Sequence, residues 1–511
     1  NINGKAQIAE GLTSQAAMLR SGNIGFDSSV ASSSGDVDKL YAVSFASPIT
    51  GDATNDKEYA AFINDAGVYD LSKITAVTIK PAFSSDYDPT YAAIRPASDK
   101  NLTYKGKGYG NTTAFTVDAS KLQYSKAYGV YDDKNAMVDL QGTTALTINV
   151  IGQGESGGLY AGLKSGDGQS FVNLANVDIT GSGSTFYGIQ AMRNGYVDAN
   201  QVKITTDKGY GLFASNGGEI IIDNLVMTGD GIHEIIHADT GATVSVGIRY
   251  NNPIGYVASV LKGNVAAETG AKVDLALGGS AGAQWVGNAK GTVNVYLTNS
   301  ESNWNGDADG DGSIKVTGGN WKGNAGGAYN VNLSGTWAKW TGGINGQINN
   351  LSLLNGAAWI NNNYSSAAEI NSFNGSAKTS ARGSIYQDSD KGLSFNNYSG
   401  NSLVIFSHDA ANPLKIKGGD VTIASAQKTA GSNAGIVLRT DNSGIDTSDS
   451  GVVKSVLDNL AAKLIYTGYT TGERNLDGRV EIAEGLTATS AYCKYSSINF
   501  DAKTGRGTAD A

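Results

Sequence analysis

Bulky aromatic residues recur at a nearly constant interval in the second half of this chain. All six tryptophans lie between positions 285 and 359. Five of them, with Trp340 counted rather than its neighbour Trp337, are separated by 19, 17, 19 and 19 residues. A period of about 20 residues holds two or three short strands and is typical of solenoids, in which each unit stacks on the next. The spacing therefore predicts one structural unit per step.

A second repeat precedes the tryptophans. Short segments that begin with an aromatic residue or His recur, each followed by a turn and then by an alternating or β-branched run. The interval from Gly188 to Gly211 to Glu234 is 23 residues each time, and the intervals from Gly129 to Gly158 to Gly188 are 29 and 30. Such runs, broken by Gly and Asn, predict strands connected by turns.

Together the repeats predict an all-β chain, specifically a right-handed, single-stranded parallel β-helix (a solenoid) with one short capping helix near the C-terminus. The composition agrees with this fold. The 68 Gly suit tight turns, and the 6 Pro interrupt few strand ladders. Leucine-rich repeats and propellers are weaker alternatives because their signature motifs are missing.

A helical pattern near the C-terminus completes the predicted organisation of the chain. Apolar residues from Val452 to Ile465 follow a helical spacing, between N-cap candidates at 448–450 and a stop at Gly468. The chain is therefore predicted to have five parts: an edge module (1–35), an irregular β-rich start of the solenoid (36–120), the parallel β-helix (121–447), the capping helix (448–467) and a C-terminal edge module (468–511).

The two ends of the chain resemble each other. Residues 1–27 and 475–501 share 12 identities over 27 aligned positions, at an offset of 474. Two interpretations are open. The chain contains two similar edge modules, or it is one period of a longer, tandemly repeated protein, which is the interpretation we expect. In the second case the C-terminal module is the start of the next repeat.

Charge and cysteine content exclude several classes of function. The net charge is −9 and the Lys and Arg residues are scattered, so we expect no nucleic-acid partner. The single cysteine, Cys493, excludes disulfide frameworks and Cys-based metal centres. No run of 18 apolar residues occurs, so we expect no membrane insertion by this chain.

One segment resembles a known family. Leu351, Leu353, Gly356, Ala357 and Trp359 form the pattern Leu-x-Leu-x-x-Gly-Ala-x-Trp, and spaced apolar residues follow slightly late, which implies a small insertion. This pattern is similar to the late β-helix of autotransporter passenger domains of the pertactin and diffuse-adherence adhesin kind. The resemblance covers about residues 120–440. It implies a non-catalytic, extracellular adhesin on the surface of a Gram-negative-type bacterium.

A literal H-E-x-x-H motif occurs at residues 233–237. That motif binds zinc when a helix places both His on one face. The repeat instead places it in a strand, with His237 in the column of Ala191 and Ala214. Two His four residues apart in a strand are about 13 Å apart, too far to share a metal. We therefore predict a strand and no zinc site.

Asp307, Asp309 and Asp311 resemble the first half of a calcium loop. Carboxylates at alternate positions before a turn glycine suit a hard cation. Gly318 stands where an EF-hand has its last Glu, so a complete EF-hand is excluded. A solvated acidic turn and a calcium-binding solenoid corner both remain open, and calcium is the one cofactor that the sequence suggests.

Tyrosine is abundant, with 25 residues. Exposed tyrosines would suit contact with glycans or proteins, because the ring stacks and the hydroxyl forms hydrogen bonds. Candidate surface anchors are Tyr109, Tyr124, Tyr364, Tyr466 and Tyr469.

We expect no enzyme activity, because a chain with 3 His is unsuited to a Ser/His/Asp triad and its carboxylates are not tied together by the sequence. The expected function is adhesion to host or bacterial surface glycans or proteins. The alternatives are a self-associating subunit of a surface filament or surface layer, and a β-helix carbohydrate-active enzyme or phage-tailspike-like protein.

Overall fold

The computed structural model describes the chain from residue 61 to residue 510 with several gaps. The edge module predicted at 1–35 lies outside the described residues. The gaps are 64–66, 71–75, 80–89, 97–101, 106–112, 123–124, 143–145, 164–167, 229–231, 250–251, 254–259, 280–281, 364 and 410.

The described residues form two compact units, one that ends at Ala276 and one that begins at Leu277. Strands make up most of both units, which confirms the prediction of an all-β chain. Within the described part, no helix has the length and apolar character needed to cross a membrane.

The first unit contains 22 strands, the last of which ends at Leu277. They are β1 (Ala61–Ile63), β2 (Gly67–Asp70), β3 (Ala76–Ile79), β4 (Thr90–Ile94), β5 (Leu102–Lys105), β6 (Thr113–Asp118), β7 (Lys126–Asp132), β8 (Met137–Gly142), β9 (Leu146–Ile151), β10 (Glu155–Gly162), β11 (Ser170–Ser182), β12 (Thr185–Met192), β13 (Gly195–Thr206), β14 (Gly209–Ser215), β15 (Glu219–Thr228), β16 (Ile232–Ala238), β17 (Thr243–Val246), β18 (Ile248–Arg249), β19 (Asn252–Pro253), β20 (Val260–Lys262), β21 (Asn264–Ala267) and β22 (Lys272–Leu277).

Eight of these strands form one parallel sheet, which we call sheet A. Its order is β1-β4-β7-β10-β12-β14-β16-β21. The predicted Tyr–Gly repeat lies in this sheet, where Tyr187 pairs with Tyr210. The strands of the predicted irregular region 36–120 pair in parallel too, since β1 pairs with β4, β2 with β5 and β3 with β6.

The remaining long strands of this unit also pair in parallel and in register. Strand β11 pairs with β8 and β9 on one side and with β13 on the other, and β13 continues to β15, β17 and β22. In-register pairing stacks like residues into columns. One buried column consists of Val138, Val172, Val197, Ile220, Val244 and Val273.

The second unit contains 23 strands, one α-helix and two short 3₁₀ helices (Thr379–Ala381 and Thr467–Thr471). They are β23 (Gln284–Val286), β24 (Ala289–Gly291), β25 (Val293–Asn305), β26 (Ala308–Gly310), β27 (Ser313–Lys322), β28 (Ala325–Gly327), β29 (Asn330–Ser334), β30 (Ala338–Thr341), β31 (Ile344–Asn345), β32 (Gln347–Leu354), β33 (Ala358–Asn361), β34 (Ala368–Gly375), β35 (Gly383–Gln387), β36 (Leu393–Ser399), β37 (Asn401–Ile405), β38 (His408–Asp409), β39 (Asn412–Ile416), β40 (Val421–Gln427), β41 (Ala434–Asp441), α1 (Ser450–Ala461), β42 (Leu464–Tyr466), β43 (Leu476–Ala483), β44 (Tyr492–Phe500) and β45 (Gly507–Ala509).

Three parallel ladders run through this unit. One joins β24, β26, β28 and β31. A second joins β27, β29, β32, β34, β36, β40 and β42. The third joins β23, β25, β27, β30, β33, β35, β37, β41 and β43.

The five periodic tryptophans form one buried column in the third ladder: Trp285, Trp304, Trp321, Trp340 and Trp359. Neighbouring rings are stacked, with centroids 4.6–4.9 Å apart. The choice of Trp340 over Trp337 is confirmed, because Trp337 is 68% exposed. The period of the aromatic residues is therefore the period of the strands.

The C-terminal helix is real but shorter than predicted. Helix α1 ends at Ala461, and Leu464–Tyr466 instead form β42, which pairs with β40. Leu464 and Ile465, the last apolar residues of the helical pattern, therefore belong to the sheet and not to the helix. Beyond this point β43, β44 and β45 pair antiparallel, so the parallel ladder ends in a hairpin.

Candidate functional site

Partly exposed aromatic rings line the outer face of sheet A. We call the set Tyr160, Tyr187, Tyr210, Phe213 and His237 the aromatic strip. In-register pairing creates it, because Tyr187 pairs with Tyr210, and Phe213 pairs with His237. The strip therefore crosses β10, β12, β14 and β16, and every ring lies in the first unit.

Four of the five rings pack on one another in two neighbouring columns, while Gln190 on β12 lies between Tyr160 and Phe213. Tyr187 and Tyr210 are stacked at 5.5 Å between centroids, and Phe213 and His237 at 5.1 Å. Tyr210 also meets Phe213 edge to face at 5.2 Å. Offset stacks and edge contacts are the favourable aromatic geometries, so the strip is preorganised without a ligand.

A buried tyrosine supports one end of the strip. The Tyr128 hydroxyl lies 2.6 Å from Glu155 Oε1, to which it donates its single proton, and 2.9 Å from Gln190 Oε1. Its ring fits only because the next strand carries Gly157, where a Cβ would lie 2.6 Å from Tyr128 Cε1. Tyr131 then stacks on Tyr160 at 4.3 Å. Stacking on Tyr131 therefore holds the Tyr160 ring in place.

Several charged groups around the strip are paired within the protein. Glu155 Oε2 lies 3.7 Å from Lys126 Nζ, and Asp133 Oδ2 lies 3.7 Å from Arg95 Nη2. Glu234 Oε2 lies 2.5 Å from His237 Nδ1. The strip thus presents rings and hydroxyls beside three carboxylates whose charges are paired with a neighbouring Lys, Arg or His side chain.

The environment keeps the hydroxyls of Tyr160 and Tyr187 protonated. Burial, with the charges of Asp133 and Glu155, raises the pKa of Tyr160 to about 12. Burial and Glu155 raise the pKa of Tyr187 to about 12. No described residue forms a hydrogen bond with the Tyr187 hydroxyl, so that hydroxyl is free to bind a ligand.

The pKa of His237 is raised by its hydrogen bond to Glu234, while burial opposes this shift. The H-E-x-x-H segment forms β16, as predicted. Its predicted register is wrong by one residue: His237 pairs with Phe213, and Ala238 occupies the column of Ala214. The cause is a register shift between Gly209 and Tyr210, which an ungapped sequence alignment cannot detect.

The three predicted calcium ligands lie around the short strand β26. Asp307 Oδ1 accepts from the Asn324 backbone N–H at 2.6 Å, and Asp311 Oδ1 accepts from the Thr292 hydroxyl at 2.6 Å. Asp309 lies within β26. Among the described residues, no group of three metal-ligating side chains is arranged to hold an ion.

Asp307 belongs to a column of Asx residues at one turn of the second unit. Asn288 Oδ1 accepts from the Asp307 N–H, and Asn324 Oδ1 accepts from the Gly343 N–H, both at 2.8 Å. With the bond from Asn324 to Asp307, each Asx side chain accepts from the backbone of the next step. Asp307 therefore joins the equivalent turns of neighbouring steps.

Ser443, His408 and Asp441 come together in the second unit. Imidazole Nδ1 lies 3.3 Å from Asp441 Oδ1, but Nε2 donates to the Ser443 carbonyl at 2.7 Å. The Ser443 hydroxyl donates to Asp441 at 2.7 Å instead of to His408. An Nε2 that carries a proton cannot accept one from the hydroxyl, so these bonds hold a turn and do not activate a nucleophile.

The predicted tyrosine anchors are not the residues of the strip. Tyr466 is fully buried, and its hydroxyl donates to Glu473, so its prediction as a surface anchor is wrong. Tyr469 is partly exposed beneath the Arg474 guanidinium, 3.4 Å from the ring centroid. The other candidates, Tyr109, Tyr124 and Tyr364, lie outside the described residues.

The sequence did contain a signal for the strip. The Tyr–Gly repeat marks the column of Tyr187 and Tyr210. The second column, with Phe213 and His237, lies three residues further along each strand and combines different residue types, so no single-residue repeat marks it.

Comparisons with protein-family models, curated proteins and solved structures found no match for this chain.

Proposed function

We propose that the chain is a right-handed parallel β-helix of the autotransporter passenger kind, and that it acts as a non-catalytic adhesin on the surface of a Gram-negative-type bacterium. Parallel, in-register ladders in both units support the fold. The motif that resembles passenger domains also supports it: Leu351 and Leu353 are buried in β32, and Trp359 ends the tryptophan column.

The aromatic strip is the observation that carries the proposed function. Its rings are preorganised, its charges are paired, and the Tyr187 hydroxyl is unoccupied among the described residues. Aromatic rings with hydroxyls combine an apolar surface with directed hydrogen bonds, which suits glycans. The strip would therefore bind glycans on host or bacterial cells.

A glycan survey with the whole 511-residue chain tests this proposal. We expect binding to at least one cell-surface glycan, and loss of that binding in the double variant Tyr187→Ala/Phe213→Ala. The matched control is Trp337→Ala, which removes an exposed aromatic ring of the second unit. Unchanged binding by the double variant, or cleavage of the bound glycan, would contradict the proposal.

A second candidate function is a self-associating subunit of a filament or surface layer. The similarity of residues 1–27 to 475–501 favours it, because a tandem period is typical of repeated surface proteins. Residues 475–501 include the terminal hairpin, where Tyr492 and Tyr495 are 49% and 59% exposed. Electron microscopy of the concentrated chain tests this candidate, since ordered polymers would support it and monodisperse particles would oppose it.

A further inference from the structure

The spacing between neighbouring strands sets the distance between successive rings of the aromatic strip. Tyr160 lies on β10, Tyr187 on β12, Tyr210 and Phe213 on β14, and His237 on β16. Neighbouring strands are about 4.8 Å apart, so four strands span about 14 Å. A ligand that lies along the strip therefore meets at least one aromatic ring on each of the four strands, in one or the other of the two neighbouring columns.

The same distance is close to the length of one pyranose ring in an extended sugar chain. Pyranoses joined through equatorial bonds, as in β-1,4-linked glycans, form a straight chain whose advance per ring is close to, and slightly larger than, the strand spacing of about 4.8 Å. Chains with axial linkages curve and lose register after one or two rings. An extended glycan could therefore place one ring against each of the four strands.

Charge favours an uncharged ligand. Three carboxylates at the strip are ion-paired within the protein: Glu155 with Lys126, Asp133 with Arg95, and Glu234 with His237. Beside His237, Asp239 accepts from the Thr240 hydroxyl, and the negative charge of Glu268 also acts on the imidazole. An acidic or basic sugar would have to break these pairs or leave its own charge without a partner. A neutral chain needs only hydrogen bonds and ring contacts, which the tyrosines supply.

Building on the proposed function, we propose that the aromatic strip binds a linear, uncharged, β-1,4-linked oligosaccharide parallel to the ladder of strands, with one pyranose ring on each strand from β10 to β16. Four rings then fill the strip, with Tyr160 at one end and His237 at the other.

A length series tests this geometry. The whole chain is titrated with β-1,4-linked glucose and N-acetylglucosamine oligomers of two to six rings, and with α-1,4-linked glucose oligomers as the curved control. We expect affinity to increase by about tenfold or more from the two-ring to the four-ring β-linked oligomer, and then to level off. The α-linked series should bind weakly at every length.

The variant Tyr160→Ala removes the ring at one end of the strip. We expect it to weaken binding of the four-ring oligomer by about tenfold while changing binding of the three-ring oligomer less than about twofold. Trp337→Ala should change neither. Tyr187→Phe keeps the ring and removes only the unoccupied hydroxyl, so it should weaken all lengths without disturbing the fold.

The outcomes separate this inference from the proposed function. Affinity without a plateau near four rings, an equal loss at all lengths in Tyr160→Ala, or preferential binding of a charged or branched glycan at the strip would overturn the inference and leave an adhesin. A chain that binds no glycan through the strip, in this series or in the survey, would overturn both.

Discussion

A single tryptophan in the buried column makes three separate stabilising contacts. Trp321 stacks between Trp304 and Trp340, at 4.9 and 4.7 Å between centroids. Its Nε1–H donates to the Gly306 carbonyl at 2.9 Å. The sequence period predicts the stack, but it does not predict the carbonyl acceptor, which depends on the path of the turn that follows each strand.

Replacing Trp321 with Ala should destabilise the second unit by about 3–5 kcal/mol, because a large buried ring is lost and a cavity remains. Trp337→Ala, at an exposed position, should change stability by less than about 0.5 kcal/mol. All six tryptophans lie in the second unit, so their fluorescence during denaturant unfolding reports on that unit alone. Equal effects of the two variants would show that the column is not a stabilising element.

Asp132 is a buried carboxyl at the end of β7. Burial raises its pKa to about 6, against the ordinary 3.8, although the backbone N–H of Lys134 donates to it. Between these two values the folded chain holds a proton that the unfolded chain has released. The stability of the first unit therefore falls as pH rises from about 4 to about 6, and it stays lower above that range.

The variant Asp132→Asn should remove this pH dependence and stabilise the first unit at neutral pH, by at most about 3 kcal/mol for a shift of about two units. Asn keeps an oxygen that can accept from Lys134. The matched control is Asp139→Asn, at a partly exposed position on the neighbouring strand β8. Unfolding is followed by far-UV circular dichroism at pH 4 and pH 7, and a less stable Asp132→Asn protein at pH 7 would contradict the assignment.

At the scale of elements, helix α1 shows what a sequence pattern can and cannot predict. Asp449, an N-cap candidate in the sequence, accepts from the backbone N–H groups of Gly451 and Val452. The end of the helix was predicted three or more residues too late. Leu464 fits the helical spacing, but it also extends a strand ladder through its pairing with Val421. Periodicity does not reveal that competition.

The terminal hairpin is held by a buried ion pair. Arg439 Nη2 lies 2.8 Å from Glu481 Oε2, and both side chains are more than nine-tenths buried. Arg439 Nη1 also donates to the carbonyls of Thr487, Ala488 and Ser490 in the loop between β43 and β44. The Glu481 carboxylate therefore neutralises the side chain that fixes the hairpin loop.

Replacing Glu481 with Ala should destabilise the hairpin by about 3 kcal/mol or more, because an uncompensated guanidinium is left buried. Lys494→Ala, an exposed change on β44, should have little effect. Hydrogen exchange of the β43 and β44 amides measures the difference. Unchanged protection in the Glu481→Ala protein would rule out a central role for the pair.

The acidic turn around β26 allows a direct choice between the two interpretations of its sequence. Two of the three carboxylates already accept hydrogen bonds from residues in the turns of neighbouring steps, Asn324 and Thr292. We therefore expect the same melting temperature of the second unit in chelator and in millimolar calcium. Asp307→Asn should be tolerated, since Asn occupies the same column at 288 and 324, whereas Asp307→Ala should destabilise. A clear stabilisation by calcium would favour the metal-binding corner.

At the scale of the whole chain, recurrence was the most reliable information in the sequence. Trp285 to Trp359, and Tyr187 with Tyr210, lie in ladders because each interval equals one strand-to-strand step. A search for constant intervals does not predict a shift of register between two neighbouring strands. The extra residue of β16, between Ile232 and Glu234, displaces His237 by one position, and the column of Phe213 and His237 combines unlike residues. The column of Phe213 and His237 is set by which residues pair across neighbouring strands, and a repeat search gives that pairing only approximately.

The central claim is that the chain attaches to cells through the aromatic strip. The most direct test is the attachment of beads coated with the whole chain to bacterial and host cells, counted for the native protein, Tyr187→Ala/Phe213→Ala and Trp337→Ala. The account predicts that native and Trp337→Ala beads attach equally and that the double variant does not attach. Attachment of the double variant at the native level would contradict it.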